Sequence, residues 1–213
     1  GAPVVFSNSL GTDLRLWDFV LDHMPKKGLR YIRYDTRGHG LSSCPQGPYA
    51  MGALITETER LMEHAGVKDA VFVGLSMGGM IAQGLAVKRL DLIRGIVLSN
   101  TGAKIGNPDM WSERIEGVKA AGIESVADGT MERWFSKAFR DTPELHMWRN
   151  MLTRQPAEGY TGCMAAISNT DMMTATSGLR LPAMGIAGAD DGSTPPDMVR
   201  ELMGLIPGSG YEL

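Results

Sequence analysis

The stretch Val71-Phe72-Val73-Gly74-Leu75-Ser76-Met77-Gly78-Gly79 constrains this chain more than any other. Apolar residues, two of them β-branched, lead into Gly-x-Ser-x-Gly, and a helix-like run from Met80 to Lys88 follows. That order describes a nucleophile elbow: a strand, a sharp turn with Ser76 at its tip, then a helix. The turn puts the serine in a strained backbone conformation, and side chains at 74 and 78 would collide with the neighbouring strand and helix. The helix start behind Ser76 offers free N–H groups and a positive dipole end to developing negative charge. Glycine and serine are common turn residues, so the flanking strand and helix carry the weight of the motif.

Short apolar runs alternate with helical patterns on both sides of the elbow. Strands are expected over 2–7, 29–34, 70–73, 93–98 and 184–187, and another from Tyr211 onward. Helices are expected over 16–24, 49–64, 80–88 and 196–205. This rhythm predicts an α/β fold, a mostly parallel sheet with helices on both faces. Between 101 and 178 the strand-like runs vanish. Segments 110–121, 130–139, 143–153 and 157–168 read as short helices, and they hold Trp111, Trp134 and Trp148. Because the α/β rhythm resumes afterwards, 101–178 is read as an inserted helical cap. The core is then 1–100 together with 179–213.

Composition excludes some classes of function. Lys and Arg total 21 against 24 Asp and Glu, a formal net charge of −3, and no basic block suggests a nucleic-acid surface. No run approaches the roughly 18 apolar residues of a membrane span. Cys44 and Cys163 lie far apart with no metal-ligand spacing, so neither a disulfide framework nor a metal is expected, and a reducing cytoplasm is the default.

A serine nucleophile needs a base, usually a histidine oriented by a carboxylate. In this architecture the acid follows the serine and the histidine comes last. Asp190 and Asp191 follow the strand at 184–187, where functional groups gather at strand C-termini. Asp191 is preferred for its spacing from Gly188 and Pro195, and Asp190 is its rival. Both also suit turn or helix-capping roles. His23, His39, His64 and His146 all precede these acids. His39, in Arg-Gly-His-Gly, reads as a structural loop residue rather than the base. The chain is therefore expected to continue past Leu213 and to carry a Gly-His dipeptide within roughly a dozen residues, the range of a short connecting loop. The oxyanion hole needs two backbone N–H groups. Met77, after the nucleophile, is expected to supply one, and Leu10, in the loop after the first strand, the other.

Together these residues resemble the α/β-hydrolase superfamily, and within it the 3-oxoadipate enol-lactonases. The resemblance rests on Ser7-Asn8-Ser9-Leu10-Gly11-Thr12-Asp13, where most relatives have His-Gly at positions 8 and 9. It extends through Asp35-Thr36-Arg37-Gly38-His39-Gly40, the elbow, Glu132-Arg133-Trp134-Phe135, Glu158-Gly159-Tyr160 and Gly188-Ala189-Asp190-Asp191-Gly192. Such proteins usually begin with two further strands and end with a Gly-His loop and a final helix, which this sequence lacks. The resemblance implies cofactor-free hydrolysis of a small lactone through a serine acyl-enzyme, in aromatic catabolism. The substrate it implies carries a carboxylate that a bidentate arginine could grip. Arg133, Lys137 and Arg140 fall within one expected helix, with Arg133 and Lys137 on one face. They suit a solvated face as well as carboxylate binding. Trp134 suits a pocket wall or an anchor of the cap. The alternatives are a carboxylesterase, a haloperoxidase-like relative, or a non-catalytic binding module. The sequence leaves the oligomeric state open.

Overall fold

Alternation along the strands decides how the sheet packs. In β1 (Ala2–Ser7), Val4 and Phe6 join Trp17 in one apolar cluster, while Val5 belongs to the other with Phe72 and Leu98. Successive side chains leave a strand on opposite faces, so the two clusters line the two sides of one sheet. The computed structural model describes residues 1–213.

After β1 come a 3₁₀ turn (Leu14–Trp17), α1 (Asp18–His23), β2 (Leu29–Arg33), α2 (Met51–His64), β3 (Ala70–Leu75), α3 (Met77–Lys88) and β4 (Ile93–Ser99). Six helices follow: α4 (Pro108–Ala121), α5 (Glu124–Trp134), α6 (Lys137–Arg140), α7 (Leu145–Thr153), α8 (Ala157–Ser168) and α9 (Met173–Ser177). The chain then forms β5 (Ala183–Ile186), α10 (Pro196–Gly204) and β6 (Gly210–Glu212). The sheet order is β2-β1-β3-β4-β5-β6, and every pairing is parallel. The α/β expectation holds.

This order positions the site. From β1 the chain moves outward to β2, then returns across β1 to β3. The order therefore reverses between β1 and β3, and the loops leaving their C-terminal ends diverge to open a crevice. Ser7 pairs with Gly74, and Leu75 with Ser99, so the loops after β1, β3 and β4 start at nearly one level. The central helix α3 is buried from Met77 to Ala86, which suits its nearly continuous apolar composition.

The segment between β4 and β5 docks on the core through glycine. A Cβ on Gly159 of α8 would lie 2.1 Å from the Gly38 carbonyl oxygen, so helix and loop touch backbone to backbone. Glu158 Oε1 accepts from the Gly47 N–H at 2.6 Å beside this contact.

Two expected helices differ. The run 130–139 is not one helix: α5 starts earlier and ends at Trp134, Phe135 is extended, and the Ser136 hydroxyl caps α6 by accepting from the Phe139 N–H. A serine followed by good helix formers restarts the helix in a new direction. The run 16–24 is divided because Asp13 caps a short 3₁₀ turn before α1 begins. Helix α9 was not anticipated.

Candidate active site

Ser76 stands between β3 and α3 with φ 53° and ψ −112°, in the left-handed half of backbone space. Such a conformation costs a non-glycine residue about 1–3 kcal/mol and persists only where its surroundings enforce it. Here they do. A Cβ on Gly74 would lie 2.3 Å from the Gly78 carbonyl oxygen, and one on Gly78 would lie 2.2 Å from that of Ser7. The two glycines thus let β3, α3 and β1 close around the turn. The Ser76 N–H donates to Ser99 O at 3.0 Å, and Thr101 Oγ1 donates to Ser76 O at 2.6 Å. Met77 is the first residue of α3, where backbone N–H groups have no partner within the helix.

The two acids are placed differently. Asp190 is exposed. Asp191 is half-buried and turned inward, where its carboxylate accepts four hydrogen bonds. Oδ1 takes the N–H groups of Ser193 (2.7 Å) and Thr194 (3.0 Å). Oδ2 takes Asn100 Nδ2 (2.6 Å) and Thr194 Oγ1 (2.9 Å). These donors hold the carboxylate beside the elbow. Asn100, at the C-terminal end of β4, was not singled out from the sequence. The signal was available: it follows a strand that neighbours the elbow strand, the position at which open α/β sheets present side chains.

The loop after β1 is fixed from below. Asn8 Nδ2 donates to Tyr34 O at 2.8 Å, and Trp17 Nε1 donates to Asn8 Oδ1 at 2.7 Å. The Gly11 N–H donates to His39 Nε2 at 2.9 Å. An imidazole nitrogen that accepts carries no proton, so the proton of His39 sits on Nδ1, facing Arg37 O at 3.2 Å. His39 is fully buried, and burial pushes its pKa down to about 4. It therefore braces the loop that carries Leu10.

This burial has a consequence for stability. An unfolded histidine takes up its proton near pH 6.5. Above that pH the contribution is fully present; as pH falls toward 4 the unfolded state is protonated first and stability drops. The total loss approaches about 3 kcal/mol. The other three histidines are exposed. His39→Gln, which keeps an acceptor for Gly11, should flatten the urea-unfolding free energy between pH 6.5 and 4.5; an unchanged slope would contradict this assignment.

Two adjoining cavities meet at Ser76. The smaller, about 200 Å³, is lined by Leu16, Phe135, Trp148 and Asp191 among others. The larger, about 440 Å³, is lined by Leu10, Arg114, Arg133 and Tyr160 among others. Ser9, Ser76, Trp134, Ser193 and Thr194 belong to both. None of the four histidines lines either cavity.

Of the three basic residues expected in one helix, only Arg133 reaches the cavity. Lys137 is exposed on α6, and Arg140 faces Glu132 at 3.9 Å. The break at Phe135 separates both from Arg133. Arg133 makes no ion pair; one guanidinium nitrogen donates to Thr130 Oγ1 at 3.1 Å, and its buried Nε has no partner. Its carbonyl accepts from the Gly192 N–H at 2.8 Å, tying α5 to the loop of Asp191. Arg114 on α4 was missed from the sequence, where it looks like any charged helix residue.

A family model described as alpha/beta hydrolase fold matches residues 2–141. The chain is 37% identical over 190 residues to 3-oxoadipate enol-lactonase 2 of Acinetobacter baylyi, an alignment covering 88% of this chain and 71% of that protein. It superposes on the crystal structure of the enol-lactonase from Burkholderia xenovorans with a TM-score of 0.95 and 37% identity, covering 99% of this chain and 82% of that one. A thermophilic esterase from Thermogutta terrifontis is similar at a TM-score of 0.91 and 27% identity, over 99% of this chain and 80% of that one.

Proposed function

The chain belongs to the α/β-hydrolase family, and from that membership we propose a serine hydrolase that opens 3-oxoadipate enol-lactone to 3-oxoadipate. The observation that carries this reading is the meeting of three features in one crevice. Ser76 stands on a strained elbow, the Asp191 carboxylate is cradled by four donors, and two arginines without ion-pair partners line the adjoining cavity. The enol-lactonases similar to this chain support the choice of substrate.

In this reading Ser76 Oγ attacks the lactone carbonyl while the N–H groups of Leu10 and Met77 receive the developing oxyanion. The step needs a histidine base oriented by Asp191, a role that none of His23, His39, His64 and His146 is placed to fill, since none lines either cavity. The ring carbon–oxygen bond breaks and the oxygen leaves as an enol, which becomes a ketone. An enol leaves more readily than an alcohol, so little acid assistance is required. Water then releases the acyl chain from Ser76. Arg133 pairs with the substrate carboxylate and Trp134 walls both cavities. No cofactor has a part in these steps. We place the reaction in aromatic catabolism in the cytoplasm, where Cys44 and Cys163 would remain free thiols. No helix is long and apolar enough to cross a membrane.

The test is turnover of the enol-lactone beside a neutral aryl ester. Pairing with arginine should favour the lactone by about 100-fold in kcat/KM, from a charge-assisted bond worth two factors of ten. Equal or faster turnover of the neutral ester would make the protein a carboxylesterase instead.

A further inference from the structure

The crevice around Ser76 is divided by charge. In the larger cavity the charged lining residues are Arg114 and Arg133, and no carboxylate joins them. In the smaller cavity the charged lining residue is Asp191. An anion is therefore drawn to one side of Ser76 and repelled from the other. The arginines are neighbours: burial and the charge of Arg133 both lower the Arg114 pKa. Arg114 lies over the Trp111 ring at 5.3 Å, and Arg133 keeps an unpartnered Nε. Two crowded cations without counter-ions are relieved by one carboxylate.

The aromatic walls of the smaller cavity, Trp134, Phe135 and Trp148, suit an uncharged group. The opened lactone on Ser76 is a linear acyl chain ending in a carboxylate. A half-ester of adipate delivers the same skeleton without the keto oxygen, and its alcohol departs toward the aromatic side.

We propose that this protein also hydrolyses linear half-esters of short dicarboxylic acids, with the free carboxylate between Arg114 and Arg133 and the leaving alcohol beside Trp134, Phe135 and Trp148. The inference rests on the reading of Ser76 as nucleophile given above. Ser76 Oγ bonds to the acyl carbon, the ester carbon–oxygen bond breaks, and the alcohol leaves with the serine proton relayed through the base. Water then adds its oxygen to the acyl carbon and returns a proton to Ser76 Oγ. The net change is half-ester plus water to dicarboxylic acid plus alcohol. Arg114 becomes a specificity-determining residue, acting with Arg133 on the end of the acyl chain.

The experiment compares kcat/KM for monomethyl adipate and methyl hexanoate in the wild type, Arg114→Gln and Arg133→Gln, with adipate and hexanoate as inhibitors of lactone hydrolysis. The half-ester should be favoured by about 100-fold, and each variant should lower that ratio about tenfold, chiefly through KM. Adipate should inhibit the wild type more strongly than hexanoate, a result independent of how the variants fold. A ratio near one with lactone turnover intact would overturn this inference and leave the lactonase reading standing. Failure to hydrolyse the lactone or any ester would overturn both.

Discussion

Ser76→Ala should lower kcat for the enol-lactone by about 10⁶-fold, the scale of losing a serine nucleophile, while the protein should melt as the wild type does. The two halves of this expectation have separate causes. Alanine keeps the Cβ that already fits at φ 53°, so the backbone strain is the same before and after. The tight contacts of the turn are made by Gly74 and Gly78, not by the serine hydroxyl. Chemistry, by contrast, loses the atom that forms the acyl bond. Binding and the oxyanion N–H groups remain, and they account for any residual rate. Stopped-flow or steady-state hydrolysis with parallel thermal melts measures both halves. Residual activity within tenfold of wild type would remove Ser76 from the reaction.

Asp191→Asn should lower kcat by about 10⁴-fold, whereas Asp190→Asn should stay within about twofold. Asp191 lines the cavity with Ser76, and both of its oxygens accept hydrogen bonds. Asparagine can accept through one oxygen only, and its amide would oppose another donor of the cradle. Some stability will therefore be lost too. The kinetic loss must be measured well below the melting temperature of the variant. Asp190 is exposed and lines neither cavity. The opposite ranking would move the acid to Asp190.

The elbow and the strand–helix alternation were legible because they are local. Gly-x-Ser-x-Gly after a β-branched run carries its own geometry, and the glycines that sequence reading required are those whose Cβ atoms would meet Gly78 and Ser7. Boundaries within 101–178 were harder, since one extended residue, Phe135, ends α5 and Ser136 at once caps the next helix. Arg114 and Asn100 were not singled out because their meaning is tertiary. Arg114 gains it from a cavity shared by α4, α5 and α8, and Asn100 from a carboxylate 91 positions later. His39 shows an intermediate case. Its place in Arg-Gly-His-Gly marked a structural loop, but the bond to Gly11 that braces the Leu10 turn requires the folded chain.

The central claim is that Ser76 carries the substrate through a covalent intermediate. It is tested most directly by mixing the protein with the enol-lactone, quenching in acid and mapping the adduct by mass. Ring opening releases no leaving group, so the peptide containing Ser76 should gain the whole mass of the lactone, and Ser76→Ala should gain none. An adduct on another residue, or lactone hydrolysis with the same rate in Ser76→Ala, would contradict the account.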